Sequence, residues 1–180
     1  MIRAATAASC QIRVSTPADD PGISALLVEA FVDTYGQKMP EVMISARRRA
    51  DLADVASRRQ HGIVLVSEIN GQLVGTATVL EPGFPGTRAW TPNTAELRYL
   101  AVAPALQGAG RSLALLERAA EIAAGWRADA LCLHVRREAR SLERFYERRG
   151  WAREPRGDVD LLPEVYLEAY RLPLDGVLRR

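Results

Sequence analysis

Apolar and polar positions recur along this chain with two periods, one typical of strands and one typical of helices. Six segments have the short, β-rich pattern of strands: residues 11–14, 63–69, 73–80, 95–102, 131–135 and 165–172. Four segments have the apolar spacing of amphipathic helices: residues 23–31, 40–59, 110–124 and 141–149. Trp151 begins a seventh, shorter strand. This order predicts one α/β domain over residues 1–180, with a mixed central sheet of six to seven strands flanked by about four helices.

Turn-forming residues separate these segments. The pair Asn70-Gly71 lies between two strand-like segments and is typical of a type I′ turn, so residues 63–80 are predicted to form a hairpin. Residues 81–94 are rich in proline and glycine, which predicts a loop. A surface loop of this length often carries function.

Length, composition and charge exclude several classes of protein. A chain of 180 residues with 48% apolar and 26% charged residues can bury the core of one ordinary globular domain. No apolar run reaches the ~18–20 residues that span a bilayer. The net charge of +2 is too small to indicate a nucleic-acid partner. We therefore expect neither a membrane nor a nucleic acid as a partner.

The two cysteines, Cys10 and Cys132, lie far apart, and neither has the paired spacing of a zinc site. No metal site is predicted. Cys132 lies in an apolar segment, where a buried thiol is expected. Two thiols do not indicate an oxidising compartment, so the cytoplasm is the expected location. Residues 1–9 show no secretory signal and are expected to be a flexible lead-in.

Residues 100–113 have the pattern of an anion-binding turn. A strand ends near Pro104, a turn with Gly108 and Gly110 follows, and a helix begins. The first N–H groups of a helix lack partners within it, and glycines let the main chain approach a diphosphate. Two familiar cradles do not fit. A dinucleotide-binding turn needs glycine where Leu113 stands, and a P-loop needs a Gly-Lys-Ser/Thr triplet, which the sequence lacks.

This turn resembles the coenzyme A signature of the GNAT acetyltransferase superfamily, Gln/Arg-x-x-Gly-x-Gly/Ala after a strand that ends in Val-x-Pro. In this chain the strand ends in Val102-Ala103-Pro104. The six signature residues are Gln107, Gly108, Ala109, Gly110, Arg111 and Ser112. Serine stands at the last position, where the family has glycine or alanine. The resemblance implies that all six bind coenzyme A. The alternative is a glycine-rich strand–helix turn without a ligand.

The resemblance also implies how the rest of the cofactor is held. Main-chain groups around Leu100, Ala101 and Val102 are expected to bind the pantetheine arm, as a peptide adds to the edge of a sheet. Family members splay two parallel strands apart at this point. Here those strands are residues 95–102 and 131–135, so the fold implied is a GNAT-like domain that is splayed between strands 4 and 5.

A second family motif, Asn-x-x-Ala-x-x-x-Tyr-x-x-x-Gly-Phe, is matched in part by residues 139–151. Tyr146, Gly150 and the aromatic Trp151 match, whereas Ala139 replaces the asparagine and a leucine replaces the alanine. The resemblance places Ala139 and Tyr146 beside the cofactor. It makes Tyr146 the candidate general acid, which protonates the departing thiolate. The alternative is a tyrosine that only packs.

Glu96 is the candidate general base, since a carboxylate can take the proton that an ammonium loses before it attacks. Because side chains alternate along a strand, Glu96 shares a face with Leu100 and Val102. Several family members use a strand glutamate at this offset. Two alternatives stay open: a glutamate that only pairs with Arg98, and a chain of water molecules as the base. Tyr99 is a further candidate for lining the acceptor site.

His134 and the arginine clusters have simpler interpretations. His134 shares a strand face with Cys132, but no orienting acid is evident from the sequence, so a packed histidine is favoured over a reactive pair. The arginines within residues 47–49 and 136–140 are interspersed with acids and are expected to form solvated helix faces.

The acceptor is the least specified part of the site. In the family, the first two helices and the loop before the last strand frame it, here roughly residues 31–45 and 156–166. That loop contains Asp158, Asp160 and Glu164. Local negative charge of this kind predicts attraction of a cationic amine.

These features predict an acetyl-coenzyme A-dependent N-acetyltransferase. The acetyl group passes to a primary amine by direct attack on the thioester, with Tyr146 as acid and Glu96 as base. The alternative is a catalytically silent acyl-coenzyme A sensor of the same fold. A nucleic-acid-binding module, indifferent to coenzyme A, is the third interpretation. The expected partners are acetyl-coenzyme A as cosubstrate and an unidentified amine, and the resemblance favours a homodimer.

Overall fold

The computed structural model describes residues 10–33, 45–108, 110–137, 139–163 and 165–175. These residues form two compact units. The first unit takes its described residues from Met1–Arg59, Val64–Ala77 and Tyr99–Leu115. The second takes its described residues from Gln60–Ile63, Thr78–Arg98 and Leu116–Arg180. The single domain over residues 1–180 stays a prediction, and its expected flexible lead-in lies outside the described residues.

The predicted α/β fold with a mixed sheet is confirmed, with one more strand and one more helix in the described ranges than the pattern indicated. The strands are β1 (Gln11–Val14), β2 (Gly62–Ile69), β3 (Gln72–Leu80), β4 (Thr94–Val102), β5 (Ala130–Arg136), β6 (Ala152–Arg153), β7 (Val159–Leu161) and β8 (Val165–Pro173). The helices are α1 (Asp20–Val28), α2 (Ala46–Ala53), α3 (Val55–Arg59), α4 (Arg111–Gly125) and α5 (Arg140–Glu147). The strand order is β1-β2-β3-β4-β5-β8-β6, and β7 also pairs with β8.

The hairpin between β2 and β3 turns where the sequence predicted. Asn70 has φ of 50° and Gly71 has φ of 77°. A type I′ turn requires positive φ at both central residues, and asparagine and glycine tolerate that conformation best. This local chemistry sets the register between the two strands.

The prediction of one continuous helix over residues 40–59 is wrong. Its first residues, including Pro40, lie outside the described part of the chain. Helix α2 begins after Ser45, whose Oγ accepts a hydrogen bond from the main-chain N–H of Arg48 at 3.2 Å. It ends at Asp54, whose ψ of 69° is not helical. The Asp54 carboxylate then accepts from the N–H of Ser57 at 3.2 Å and starts α3.

The core of the first unit consists of apolar side chains from α1, α2, α3, β2 and β4. They are Ile23, Leu27, Val32, Leu52, Val55, Val64, Val66 and Ala101. Helix α1 is followed by a wider turn over Glu29–Asp33, so helical structure covers the predicted segment and begins three residues earlier. Burial of these side chains holds the α2–α3 pair against the sheet in this unit.

The second unit is built around the long antiparallel pair β5–β8, which runs from Ala130↔Pro173 to Arg136↔Leu167. Strands β6 and β7 both pair with β8. Strand β7 lies inside the segment, roughly residues 156–166, that was expected to be the loop before the last strand. It was missed because three residues give too short a pattern to distinguish a strand from a turn.

Strands β4 and β5 separate soon after they meet. Their parallel ladder has three pairs, Thr94↔Ala130, Ala95↔Leu131 and Glu96↔Cys132. Both strands continue beyond the last pair, β4 to Val102 and β5 to Arg136. The predicted splay between strands 4 and 5 is thus present, and it begins at Glu96.

Candidate active site

A strand–turn–helix unit forms the predicted anion cradle. Strand β4 ends at Val102, and α4 begins at Arg111. Between them Gly108 has φ of 83° and Gly110 has φ of 74°, the left-handed region that favours glycine. A Cβ at either position would have no atom within 4 Å, so both glycines lie in open space. The first N–H groups of the 15-residue α4 follow directly.

The side chains of the cradle suit a diphosphate. Arg111 has a buried Nε that makes no hydrogen bond in the described structure, so this donor is available to an anion. The Gln107 amide donates a long hydrogen bond of 3.4 Å to the Val102 carbonyl. Ser112 lies in the first turn of α4, and Ala109 lies outside the described residues. An orphaned guanidinium donor beside an open helix N-terminus fits coenzyme A.

The strand segment predicted to hold the pantetheine arm is irregular. Ala101 and Val102 are buried, and Leu100 is half-buried. Tyr99, directly before them, has φ of 56°, which no regular strand residue adopts. Side-chain alternation is interrupted there. Alternation alone therefore does not place Glu96 and Leu100 on one face, and that placement stays a prediction.

Tyr99 is held in this conformation by side chains from α2 and α3. Its hydroxyl donates to Oδ1 of Asp51 at 2.8 Å. The Arg58 guanidinium lies 3.8 Å from the centre of the Tyr99 ring, and the Arg48 guanidinium lies 5.6 Å from it. Burial, together with the negative charge of Asp51, raises the pKa of Tyr99, so its hydroxyl stays protonated as a donor.

Glu96 is 1% exposed and its carboxylate is fully engaged. Arg98 donates to both oxygens, from Nε at 2.6 Å and from Nη2 at 2.9 Å. The main-chain N–H of Arg88 donates at 2.9 Å and the Thr87 hydroxyl at 3.3 Å. The pairing with Arg98 that the sequence left open as an alternative is thus present. The base role of Glu96 stays a prediction.

His134 lies beside Glu96, which the sequence analysis did not recognise. The parallel ladder places Glu96 opposite Cys132, and His134 is two residues further along the same face of β5. Its Nδ1 is 3.9 Å from Oε1 of Glu96. Its Nε2 lies 2.9 Å from the carbonyl of Gly157, and because a carbonyl only accepts, Nε2 carries hydrogen. Burial lowers the pKa of His134, although this hydrogen bond and Glu96 oppose the change.

Tyr146 lies on α5 in an aromatic cluster and is 7% exposed. Its ring is edge-on to Phe145 and to Trp151, with ring centres 5.2 and 5.7 Å away. Tyr170 lies 6.3 Å from it. Ala139, at the start of α5, offers no side-chain cap to the helix. The ring of Tyr146 therefore packs, and its acid role stays a prediction about the hydroxyl.

Two of the acidic residues expected to attract a cationic amine already accept hydrogen bonds from other groups of the chain. Asp158 accepts from Arg153 at 2.6 Å, from the Tyr166 hydroxyl at 2.9 Å and from the N–H of Ala169 at 2.9 Å. Burial would raise its pKa, but these hydrogen bonds lower it below the usual value. Asp160 accepts from a main-chain N–H in its own turn. Glu164 lies outside the described residues.

The structure places the predicted site residues in two groups. The cradle residues and the segment from Leu100 to Val102 belong to the first unit, and Glu96, Ala139 and Tyr146 belong to the second. Within the second unit, Glu96 contacts Arg98 and His134, whereas Tyr146 contacts aromatic rings. In the ranges the structure describes, no group of three His, Cys, Asp or Glu side chains is placed to hold a metal ion. No helix in those ranges is long and apolar enough to cross a bilayer.

Comparison with known proteins agrees with this geometry. The model of the acetyltransferase (GNAT) family matches residues 21–151. A GNAT acetyltransferase from Staphylococcus aureus Mu50 has 15% identity and a TM-score of 0.71, covering 93% of this chain and 100% of its own. The ribosomal-protein-S18-alanine N-acetyltransferase from Escherichia coli has 18% identity and a TM-score of 0.66, covering 92% and 94%.

A further similar structure, an acetyltransferase from Salmonella typhimurium with its cofactor acetyl-CoA, has 24% identity and a TM-score of 0.65, covering 93% of this chain and 95% of its own. At these identities the solved structures establish a shared fold. No curated protein sequence matches the chain. The family model covers well over half of the residues, and the open glycine turn lies inside the matched range. The chain belongs to the acetyltransferase (GNAT) family.

Proposed function

We propose that this chain is an acetyl-coenzyme A-dependent N-acetyltransferase that acetylates a primary amine by direct attack of the amine on the thioester. The observation that best supports the proposal is the turn with Gly108 and Gly110. Both glycines are left-handed and lie in open space, and Gly110 directly precedes the first residue of α4. Exposed main-chain N–H groups at such a position suit a diphosphate.

The chain's own groups would bind and orient the cosubstrate. Amides of residues 107–112 and the Arg111 guanidinium would hold the diphosphate. Main-chain groups of Leu100 and Val102 would hold the pantetheine arm, because the described strands pair β4 with β5 only as far as Glu96. Ala139 and Tyr146 would lie beside the arm. Acetyl-coenzyme A supplies an acetyl group that its thioester activates toward nitrogen.

Two side chains would move protons. Glu96, directly or through water, would take one proton from the ammonium, which leaves a lone pair on nitrogen for attack on the carbonyl carbon. As the C–N bond forms, the C–S bond breaks and its electron pair goes to sulfur. The Tyr146 hydroxyl would donate a proton to that sulfur and regain one from the nitrogen, which becomes the amide. The base returns its proton to solvent.

A silent acyl-coenzyme A sensor is the second candidate, and one observation favours it. The Glu96 carboxylate already accepts four hydrogen bonds, two of them from Arg98. An incoming ammonium would have to compete with these four donors for the same two oxygens. The sensor would bind acetyl-coenzyme A at the same turn without releasing thiol.

Calorimetry followed by a thiol-release assay separates the candidates. Binding of acetyl-coenzyme A with amine-dependent release of thiol supports the transferase. Binding without release from any amine in a broad panel supports the sensor. Failure to bind at millimolar cosubstrate removes both. The same purified protein, run on a sizing column with light scattering, tests the expected homodimer, and fractionation of cells tests the cytoplasmic location.

A further inference from the structure

Arg58 is a buried cation with an unsatisfied donor. The residue is 7% exposed. Its Nη2 donates to the main-chain carbonyls of Asp51 and Leu52, the latter at 2.9 Å. Its Nη1 is buried and has no hydrogen-bond partner among the residues that the structure describes. No described carboxylate forms an ion pair with it. A guanidinium taken out of water without an anion is costly, so this arrangement needs a physical explanation.

A second arginine lies over the same aromatic ring. The Arg48 guanidinium is 5.6 Å from the centre of the Tyr99 ring and 5.8 Å from that of Phe31. Its side chain is 45% exposed, so the cluster reaches solvent at this residue. The carboxylate of Asp51 lies 2.5 Å from Nη1 of Arg48 and also accepts from the Tyr99 hydroxyl. Among the described residues the Asp51 carboxylate pairs with Arg48, whereas Arg58 has no carboxylate at ion-pair distance, so the charge of Arg58 has no direct partner.

Residues 45–59 contain five arginines and two aspartates, and one of these arginines, Arg59, pairs with Asp20. Burial lowers the pKa of Arg58 and Arg48 acts in the same direction, whereas the negative charges of Asp51 and Asp54 oppose the change. A single planar anion would balance the cluster. It would also give guanidinium donors the bidentate partner that suits them. A dianion such as phosphate would overcompensate the charge.

The cluster is next to the strand segment that would hold the thioester. Tyr99 immediately precedes Leu100, whose main chain is assigned to the pantetheine arm in the proposed function. We propose that Arg48 and Arg58 recognise a carboxylate on the acceptor, so that the substrate is an amine carrying a carboxylate group. The inference rests on the proposed function and narrows its substrate class. Arg48 meets the carboxylate first because it is exposed, and the rings of Phe31 and Tyr99 border the carbon chain between carboxylate and amine.

Matched acceptor pairs test the inference with the full-length protein. Each pair is an amino acid and the amine obtained by removing its carboxylate: glycine and methylamine, β-alanine and ethylamine, 6-aminohexanoate and pentylamine, phenylalanine and 2-phenylethylamine. In at least one pair, we expect the acid to have a kcat/KM about tenfold or more above that of the amine. If the kcat/KM of the amine equals or exceeds that of its amino acid in every pair, the inference is overturned, and the proposed acetyltransferase activity is unaffected.

Variants test whether the preference for carboxylate-bearing acceptors depends on Arg48 and Arg58. Arg48→Met should reduce the acid-to-amine ratio about fivefold or more. The ratio compares two acceptors in the same variant, so any effect of the substitution on Tyr99 or on cosubstrate binding cancels. Arg49→Met, on the same helix and equally exposed, is the control and should keep the ratio. Arg58→Met should act like Arg48→Met if it folds. Since Arg48 is exposed, its variant decides the outcome even where the Arg58 variant does not fold. An unchanged ratio in Arg48→Met contradicts the inference.

If the protein binds coenzyme A but shows no turnover, a binding measurement tests the carboxylate inference instead. In the presence of coenzyme A, the N-acetylated acids should bind about tenfold more tightly than the matching acetamides, and Arg48→Met should remove the difference. Equal binding overturns the carboxylate inference alone. A protein that does not bind coenzyme A at all loses the proposed function, and the inference falls with it.

Discussion

The hydroxyl of Tyr99 donates a 2.8 Å hydrogen bond to Oδ1 of Asp51, a residue 48 positions earlier in the chain. The main chain at Tyr99 is left-handed, with φ of 56°, and this costs a non-glycine residue about 1–2 kcal/mol. The side-chain bond, with the Arg58 guanidinium stacked on the ring, offsets that cost. It thereby fixes the direction in which the following residues of β4 present their main-chain groups.

Removal of this bond should weaken cosubstrate binding as well as stability. Tyr99→Phe deletes one donor and leaves a partly buried carboxylate, so we expect a loss of about 1–2 kcal/mol in the free energy of unfolding. Because Leu100 and Val102 then lose their defined orientation, the Kd for acetyl-coenzyme A should rise about threefold to tenfold. Urea unfolding and calorimetry measure the two effects.

Tyr166→Phe is the matched control for this variant. Tyr166 also donates to an aspartate, Oδ2 of Asp158, at 2.9 Å, but it lies on β8 in the second unit. Its loss removes the same kind of hydrogen bond at a more exposed residue and should leave the affinity for acetyl-coenzyme A unchanged. If Tyr99→Phe is destabilised but binds acetyl-coenzyme A as the wild type does, the conformation of β4 at Tyr99 does not orient the pantetheine site.

Two glycines with the same backbone conformation give a direct test of the cradle. Gly83 and Gly110 both have φ of 74°, and a Cβ at either position would meet no atom within 4 Å. Alanine at each should therefore cost about 1–2 kcal/mol of unfolding free energy from backbone strain alone. Only Gly110→Ala should also weaken acetyl-coenzyme A binding, by about tenfold or more, since its Cβ would project at the phosphate cradle. Equal Kd values for both variants would show that the turn does not hold the diphosphate.

The parts of the fold that the sequence predicted depend on local chemistry. Asn70-Gly71 and the glycines of the cradle need positive φ whatever surrounds them, so their turns follow from a few neighbouring residues. The conformation of Tyr99 depends instead on Asp51 and Arg58, which only the tertiary structure brings to it. No local pattern indicates a left-handed tyrosine in the middle of a strand.

The contacts of Glu96 could not be predicted from the sequence, for a similar reason. Its position beside His134 follows from the parallel register of β4 and β5, which one sequence does not reveal. The ion pair with Arg98 was foreseen as an alternative because i, i+2 side chains of a strand share a face. The hypothesis about Asp158 counted charge without Arg153, the arginine from β6 that pairs with it, and the attraction of a cationic amine stays a prediction.

Tyr146→Phe should separate catalysis from packing. The phenyl ring keeps its contacts with Phe145 and Trp151 and loses only the hydroxyl. If the hydroxyl protonates the departing thiolate, kcat should fall about a hundredfold, with the Kd for acetyl-coenzyme A changed little. Tyr170→Phe, in the same aromatic cluster, is the control. Burial raises the pKa of Tyr170 to about 12, so its hydroxyl stays protonated and its removal should leave kcat near the wild-type value. A full kcat in Tyr146→Phe assigns the residue to packing.

Glu96→Gln tests the base and the ion pair together. The amide cannot balance Arg98, and breaking a buried pair on one side costs about 3–5 kcal/mol, so a large drop in unfolding free energy is expected. If Glu96 also takes the proton of the amine, the acidic limb of the profile of kcat/KM against pH should disappear. A folded variant with the wild-type acidic limb would exclude the base role and favour water. Arg98→Gln, which breaks the same pair from its other side, should retain the limb.

His134 should make the stability of the protein depend on mildly acidic pH. Burial lowers its pKa below the ordinary 6.5; the charges of Arg88 and Arg98 act in the same direction, whereas the Gly157 carbonyl and Glu96 oppose the change. Below pH 6.5 the unfolded chain therefore binds a proton that the folded chain does not. As the pH is lowered through this range, the free energy of unfolding should decrease by up to about 1.4 kcal/mol per pH unit.

The change must be distinguished from the acid unfolding that carboxylates cause. Asp19 and Asp158 have pKa values lowered from 3.8, so their contribution to stability is present above that pH and is lost only below it. His134→Gln keeps a donor for the Gly157 carbonyl and should flatten the curve of unfolding free energy between about pH 6.5 and 5. His61→Gln, at the half-buried histidine that stacks on Phe84, should leave that curve unchanged. A wild-type slope in His134→Gln would mean that another group binds the proton.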